Sequence, residues 1–229
     1  ACAGTVNPCA VTMDADKTVT ADFSEEFDLT ADASPDVGGS VSGGGRHPSG
    51  ASVVVTATPN PGYTLAGWTG SGACPGTALM CTVTMNADKT VTANFSEEFD
   101  LTANASQLAG GSVSGGGSYP SGASVPVTAT PNSGYTLTGW AGSGACAGTV
   151  NPCTVTMDAD KTVTANFSQE FTLITSVSPG IGGTLTGVGV YVSGTQVTVT
   201  ATPNPGYALT GWAGSGACAG TVNPCTVTM

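Results

Sequence analysis

Apolar and polar residues alternate with a period of two through much of this chain. In 27–33, FDLTADA, the apolar residues take the odd positions and the polar residues take the even positions. The segments 53–58, 81–85 and 91–95 repeat this alternation, with Thr at most of the polar positions. A period of two places successive side chains on opposite faces of a β-strand. Each segment is therefore predicted to be a half-buried strand with a Thr-rich face in water.

Gly- and Pro-rich segments separate the predicted strands. Two such segments bracket a short strand around Val41, and the turn PNPG at 59–62 precedes a strand over 63–68. Trp68 falls outside the alternation of this last strand, which predicts a β-bulge at Gly67 that re-aims the indole. Gly, Pro, Thr or Val interrupts every segment of helical length. The sequence predicts an all-β fold of six short strands per unit, either a small β-sandwich or a β-grasp-like sheet.

The same pattern recurs every 72 residues. Cysteine pairs, one Trp, one Lys and one Met keep this offset, and 27–98 differs from 99–170 at 16 positions. We therefore expect two complete repeats, 27–98 and 99–170, and a third, 171–229, that lacks its last strand. Residues 1–26 are expected to be a partial repeat that holds C-terminal strands only. A unit of this length can be a domain by itself, unlike the shorter units of solenoid proteins.

Composition and charge exclude several classes of partner. The chain has 34 Gly, only 8% charged residues and a net charge of −11, with four basic residues in all. Nucleic-acid binding needs clustered Lys and Arg, so no nucleic-acid partner is expected. Because no run of about 18 apolar residues occurs, no insertion into a membrane is expected. The apolar content of 40% argues against a disordered chain.

The eight cysteines fall in pairs seven residues apart, one pair in each unit. Pairing within each couple is the simplest connectivity, because only that pairing can repeat unit by unit. Zinc would lack two of the four ligands that it usually takes, although free thiols and metal binding remain alternatives. Disulfides indicate an oxidising compartment, hence a secreted or cell-surface protein. The predicted bridges are Cys2–Cys9, Cys74–Cys81, Cys146–Cys153 and Cys218–Cys225.

Three motifs carry a resemblance to a known family. They are GGSVSGGGSYPSG at 110–122, VTATPNSGYTLTGW at 127–140 and CTVTMDADKTVTANF at 153–167. The chain resembles the divergent internalin-type (InlB) B-repeat of bacterial extracellular and cell-surface proteins. The resemblance implies a location outside the cell, in stalks or adhesive regions, and a small β-grasp sheet crossed by a helix. It carries no catalytic residues.

The sequence offers no catalytic constellation, so no enzyme, cofactor or metal site is predicted. His47 is the only histidine, and the Asp residues of the 158–160 turn are too few for the six to eight oxygens that calcium takes. Aromatic and hairpin residues are candidate contacts for a ligand such as a carbohydrate, and N-x-S sequons are candidate glycosylation sites. The candidate contacts are Trp68, Trp140, Trp212, His47, Tyr119 and Tyr191, and the sequons begin at Asn94, Asn104 and Asn166.

Successive repeats are joined without a linker. Only 96–98, SEE, separates the last Phe of one repeat from the first Phe of the next, where a flexible tether would show a Gly/Ser-rich or Pro-rich linker. Residues 14–23, DADKTVTADF, match the strand that the third repeat lacks, so strand complementation between copies would join chains head to tail. We expect a structural segment of an extracellular fibre, sheath or adhesin stalk, whose partners are neighbouring repeats or copies of itself. The alternative is a carbohydrate- or surface-binding module that uses the aromatics and the variable first hairpin.

Overall fold

The computed structural model describes residues 5, 7–216 and 218–229, and it contains two compact units, Ala1–Glu97 and Glu98–Met229. The described residues are nearly all β, which confirms the predicted fold class. They contain no α-helix; a single 3₁₀ turn occupies Asp36–Gly38. In the described part of the chain, no helix has the length and apolar character needed to cross a lipid bilayer.

The first complete repeat, all of whose residues are described, is built from seven strands in two sheets. One sheet has the order β5-β7-β1-β3, and the other has the order β2-β4-β6. The strands are β1 (Glu26–Ser34), β2 (Gly39–Ser42), β3 (Gly45–Pro48), β4 (Ser52–Pro59), β5 (Tyr63–Thr69), β6 (Met80–Thr84) and the first half of β7 (Lys89–Ala105).

The first and last strands of the repeat are parallel neighbours. β1 pairs with β7 from Leu29 opposite Lys89 to Ser34 opposite Asn94. β5 lies antiparallel on the other side of β7, and its register shifts between Leu65 and Gly67. The predicted bulge at Gly67 is thereby confirmed.

The core of the repeat lies between its two sheets. Apolar residues of β1 and β7 pack against those of β4 and β6, and Val91, Ala93 and Phe95 of β7 are all buried while Thr90 is exposed. The alternation therefore directs one set of side chains inwards, as predicted. The buried residues are Leu29, Val55, Ala57, Leu65, Trp68, Cys81, Val83, Met85, Val91, Ala93 and Phe95.

The second repeat has the same architecture, with the second half of β7 as its first strand. Its sheets have the orders β11-β13-β7-β9 and β8-β10-β12. Its other strands are β8 (Gly111–Ser114), β9 (Gly117–Pro120), β10 (Ser124–Pro131), β11 (Tyr135–Ala141), β12 (Cys153–Thr156) and the first part of β13 (Lys161–Leu173).

The third repeat keeps only part of this framework. The end of β13 pairs with β15, β14 pairs with β17, and β16 pairs with β18. Residues 207–213, which correspond to β5 and β11, form no strand. Its strands are β14 (Gly183–Leu185), β15 (Gly189–Val192), β16 (Gln196–Val199), β17 (Ala201–Pro203) and β18 (Cys225–Thr228).

Three details differ from the sequence-based expectation. A seventh strand, β3, was not predicted, because its sequence Gly-Arg-His-Pro has no apolar alternation and reads as a turn. The sequence NADK at 86–89 predicts a tight turn that connects the last two strands, but 86–88 links β6 to β7, which belong to different sheets. In place of the helix that the resemblance implies, a three-stranded sheet covers the buried face of the other sheet.

Candidate functional site

Each described repeat has one disulfide, and it joins the two cysteines that lie seven residues apart in the sequence. The bridges join Cys74 to Cys81, Cys146 to Cys153 and Cys218 to Cys225, with Cα–Cα distances of 5.5, 5.6 and 5.8 Å. These distances are typical of disulfides. The predicted Cys2–Cys9 bridge involves Cys2, which lies outside the described residues.

The Trp of each repeat fastens the loop that the disulfide closes. Trp68 Nε1 donates a hydrogen bond to the Ala78 carbonyl oxygen at 2.8 Å, and Trp140 does the same to Val150. The two residues are 7% and 9% exposed. Their rings therefore present little free surface on which a ligand could stack. Trp212 makes the equivalent bond to Val222 but is more exposed than its two counterparts.

The second and third repeats hold this loop by an Asn side chain that the sequence analysis missed. Asn151 Oδ1 accepts from the Ala129 N–H at 3.0 Å, and Asn151 Nδ2 donates to the Ala129 carbonyl at 2.8 Å. Asn223 repeats both bonds with Ala201. The Asn carboxamide thus makes the two backbone hydrogen bonds with Ala129 that a neighbouring strand would otherwise make. The available signal was the change from Leu79-Met80 to Asn-Pro within an otherwise constant loop.

The hairpin residue at position 47 differs in its bonding from its counterparts. Tyr119 Oη donates to the Gly115 carbonyl at 2.9 Å, and Tyr191 Oη donates to Gly187 at 3.0 Å. His47 Nε2 is buried and has no hydrogen-bond partner among the described residues. The predicted contact residue His47 is thus half-buried in β3, with its Nε2 atom inaccessible.

The three sequons lie within the long strands. Asn104 of β7 is exposed, whereas Asn94 and Asn166 are half-buried. The Asn94 Nδ2 group donates to Thr69 Oγ1 at 3.1 Å. Of the three, Asn104 has the most accessible amide for a glycan.

Asp88 and Asp160 each accept a hydrogen bond from the backbone of the first strand of their repeat. Asp88 Oδ1 accepts a hydrogen bond from the Asp28 N–H at 2.9 Å, and Asp160 accepts from Asp100 in the same way. The sequence suggested a local turn, but these bonds tie the last connection of each repeat to its first strand. Among the described residues, no three His, Cys, Asp or Glu side chains are grouped so as to hold a metal.

In a complete repeat, the side chain of the last Phe packs against the backbone of two adjacent glycines, and this packing position is its seat. A Cβ at Gly38 would lie 2.5 Å from Phe95 Cβ, and one at Gly39 would lie 2.6 Å from Phe95 Cζ. Tyr63 borders the same seat. In the second repeat, Gly110 and Gly111 hold Phe167 in the same way. In the sequence, these glycines indicate only a turn.

The corresponding seat in the third repeat is an open groove of about 260 Å³. Its lining includes Gly182, Gly183, Tyr207, Leu209 and Trp212, which correspond to Gly38, Gly39, Tyr63, Leu65 and Trp68. Leu209 is only half-buried, although its counterpart Leu65 is 3% exposed.

Residues 13–23, which match the end of a complete repeat, carry apolar side chains that are exposed to solvent. Met13, Val19 and Phe23 are 72%, 60% and 95% exposed, and no strand includes any residue of 9–25. Their counterparts in the first complete repeat, which are Met85, Val91 and Phe95, are 0%, 0% and 6% exposed.

Comparison with known proteins gives one family. Residues 29–99, 100–171 and 173–229 each match a family model described as the divergent InlB B-repeat domain. The three matches cover most of the chain. No curated protein matches it.

Proposed function

Because the chain belongs to the divergent InlB B-repeat family, we propose that it forms a non-catalytic structural segment of an extracellular fibre, sheath or adhesin stalk. The chain consists of tandem repeats, and each described repeat has its own disulfide and all or part of its own core. This organisation supports a role as a spacer that bears load. The described disulfides favour an oxidising compartment, which supports secretion or exposure at a cell surface.

The observation that carries this proposal is the parallel pairing of the first and last strands of a repeat. Tension along the chain enters the first complete repeat at Glu26 and leaves it beyond Phe95, at opposite ends of the ladder between β1 and β7. The ladder contains six residue pairs. Since the two strands are parallel, this tension loads all of the ladder's hydrogen bonds together and does not peel them apart one by one.

The joints between repeats support the same role. The last strand of one repeat and the first strand of the next form one continuous strand, β7 or β13, with no Gly or Pro inside it. Tension therefore passes from one ladder to the next through extended backbone and not through a coiled linker.

Single-molecule force spectroscopy of the full chain, held by its two ends, tests the proposal. Each complete repeat should unfold in one step of roughly 230 Å, since 65 of its residues are free to extend and seven are locked by the disulfide. Reducing the disulfides should lengthen each step by about 20–25 Å.

A change of pulling points is the matched control. Glu26 pairs with Pro48 in the antiparallel ladder of β1 and β3, so handles at positions 25 and 49 would peel that ladder from one end. This geometry should rupture at a clearly lower force than end-to-end pulling. Equal forces in the two geometries, or gradual extension without steps, would refute a load-bearing role.

The finer form of the proposal is that the chain joins to copies of itself head to tail by strand complementation. The match of residues 17–23 to 89–95, the last strand of the first complete repeat, at every position except Asp22 supports it.

A second candidate function is binding of a carbohydrate or a surface through the first hairpin of each repeat. This hairpin varies while the framework stays constant: Arg46-His47 becomes Ser118-Tyr119 and then Val190-Tyr191. Arg46 Nε donates a hydrogen bond to the Asp28 carboxylate, and this bond raises the pKa of the exposed Arg46 guanidinium. A glycan array probed with the full chain tests the idea. Binding that is lost on Arg46→Ser, the residue of the second repeat, would support it, and no binding to any glycan would reject it.

A further inference from the structure

We propose that the outer edges of β6 and β12 form a self-pairing surface that the disulfide loop keeps covered, so that reduction of the disulfides lets copies of the chain join edge to edge. The disulfide loop is the segment between the two strands that flank it, 70–79 in the first repeat and 142–152 in the second. The inference goes beyond the load-bearing role, because it concerns contacts between copies that lie side by side.

β6 is an edge strand whose outer backbone groups are available for pairing. In the described residues it pairs with β4 on one side only. Met85 N–H, directly after β6, donates to the Ala51 carbonyl on the β4 side at 2.9 Å. Since the backbone groups of successive residues point to opposite sides of a strand, those of Thr82 and Thr84 point away from β4. This edge therefore offers a row of donors and acceptors to another strand.

Two other edge strands of the first repeat have features that hinder pairing with another chain. β5 has a bulge between Leu65 and Gly67, and β3 contains Arg46 and ends at Pro48. Bulges, charged side chains and Pro are common means of protecting the edge of a sheet. β6 reads MCTVT, with no charge, no Pro and no shift in its register with β4. Its edge needs another kind of protection.

The disulfide loop provides that protection. Cys74 Sγ lies 3.8 Å from the Thr82 carbonyl oxygen, and Cys146 Sγ lies at the same distance from that of Thr154 in β12. A disulfide sulfur carries no proton, so the contact covers the carbonyl oxygen without donating a hydrogen bond to it. The disulfide thus occupies part of the place that a neighbouring strand would take.

The other contacts at the start of this loop are made to the opposite sheet. Ser71 Oγ accepts a hydrogen bond from the Thr90 N–H at 3.0 Å, and Gly72 N–H donates to the Thr90 carbonyl at 3.1 Å. Both bonds join the loop to β7, so the bond to Cys81 is what holds Cys74 against β6.

Reduction would release Cys74 from this edge. A dithiol reductant supplies two electrons and two protons, which convert the S–S bond into two thiols, and the reductant itself becomes a cyclic disulfide. The buried apolar residues of β4, β6 and β7 are not linked by this bond, so the repeat keeps its core while the edge of β6 is uncovered.

A second copy is the partner because the uncovered strand is complementary to itself. When two β6 strands pair antiparallel about a two-fold axis at Thr82, Met80 faces Thr84 and Cys81 faces Val83. No like charges meet, and Thr82 faces its own copy, a favourable cross-strand pair. The two three-stranded sheets would become one sheet of six strands, with Cys81 and Val83 still on the core side.

The same contact can propagate, because the second repeat has an edge of the same sequence. β12 reads CTVT, as do residues 81–84. A contact between two identical edges is isologous and ends at a dimer, whereas a chain with two uncovered edges can join to two neighbours.

Sedimentation velocity of the full chain tests the effect of reduction. Addition of dithiothreitol at constant protein concentration should shift the sedimentation coefficient upwards, because several edges become available in each chain. Removal of the reductant by oxidation should reverse the shift.

A variant that lacks one disulfide tests the edge of β6 alone. Cys74→Ala combined with Cys81→Ala should double the mass of the oxidised parent and go no further, since one edge is uncovered. Hydrogen exchange shows whether the repeat remains folded: the amides of β4 should stay protected, and those of Thr82 and Thr84 should gain protection only in the associated form. Cys146→Ala with Cys153→Ala repeats the experiment at β12.

Substitution of Thr82 separates backbone pairing from other causes of association. Adding Thr82→Pro to the Cys74→Ala, Cys81→Ala variant should abolish the doubling of mass, because Pro removes an N–H that points away from β4. Thr82→Val is the matched control, since Val keeps this N–H and is also β-branched, and it should associate like its parent.

A reduced chain whose sedimentation coefficient is unchanged, or association that survives Thr82→Pro, would overturn the inference. Association accompanied by loss of protection in β4 would also overturn it, because the copies would then join through unfolded repeats. The load-bearing proposal is judged separately, since force spectroscopy of single oxidised chains does not depend on contacts between copies.

Discussion

The backbone of Gly38 lies directly against the side chain of Phe95, so that a Cβ at position 38 would come within 2.5 Å of Phe95 Cβ. Gly110 and Phe167 repeat this relationship at the same distance. Neither glycine has a left-handed backbone conformation. They are therefore required by packing: a side chain here would displace the ring that closes the core.

Gly110→Ala is expected to destabilise the second repeat by about 1–3 kcal/mol, the usual cost of overpacking a core. Hydrogen exchange of β11 and β13, measured by mass spectrometry, gives the local free energy of opening. Gly180→Ala in the third repeat is the control, because a Cβ there has nothing within 4 Å, and it should change exchange in the third repeat only slightly. Comparable losses from the two substitutions would contradict the packing explanation.

Asn151→Ala is expected to weaken the second repeat by about 1–3 kcal/mol. The substitution removes both partners of Ala129, whose N–H and carbonyl are then left unpaired. Leu79→Ala is the matched control in the first repeat, since Ala57 N–H is bonded there to the Leu79 backbone carbonyl at 2.8 Å, which the substitution retains. Exchange rates of the Ala129 and Ala57 amides report the two effects. Unchanged protection at Ala129 would show that the carboxamide is dispensable.

The strand content and the core could be predicted from the sequence because burial follows the alternation. Val91, Ala93 and Phe95 are buried because they share one parity, and the bulge at Gly67 follows from the odd placement of Trp68. The disulfides of the described repeats follow from spacing. All of these are local signals.

Other features depend on contacts between distant residues, which a local pattern does not contain. β3 forms because Gly45–Pro48 pairs with β1, although its own sequence reads as a turn. The bond from the Asp28 N–H to Asp88 joins residues that are 60 apart. The contact between Gly38 and Phe95 joins two residues that are far apart in the sequence, so it is evident only from the structure.

A small acid-labile contribution to stability is expected from Asp158. Lys161 Nζ lies 2.6 Å from Asp158 Oδ1, and this hydrogen bond lowers the pKa of the Asp158 carboxyl. A carboxyl with a lowered pKa in the folded state stabilises the fold above its unfolded pKa, and this contribution is lost as the pH falls through the folded pKa. The effect is small because the side chain is exposed.

Asp158→Asn should therefore lower the urea midpoint at pH 7 and leave it unchanged at about pH 2, where both forms are neutral. The first repeat has Asn86 at this position. The reverse substitution Asn86→Asp should create the matching pair with Lys89 and raise the midpoint at pH 7. A difference of the same size at both pH values would show that the ion pair is not its cause.

Replacing Cys146 and Cys153 together by Ala should cost the second repeat about 2–3 kcal/mol. Their disulfide joins residues that are seven apart in the sequence, and its loss returns conformational entropy to the unfolded chain. Cys153 is fully buried, so Ala is preferred to a residue that would bury a hydroxyl group. Reduction of the unmodified chain should shift the urea midpoint in the same direction. A variant with the parent's midpoint would show that the disulfide contributes little to this fold.

His47→Tyr is expected to stabilise the first repeat by about 1 kcal/mol, the net worth of one hydrogen bond. His47 Nε2 is buried without a partner among the described residues, whereas Tyr119 at the same position donates to the Gly115 carbonyl at 2.9 Å. A Tyr at position 47 can reach the matching carbonyl of Gly43. The complementary variant Tyr119→Phe should destabilise the second repeat by a similar amount. Hydrogen exchange of β3 and β9 measures both changes. If His47→Tyr destabilised the first repeat, the imidazole would fit its site in β3 better than its unpaired nitrogen indicates.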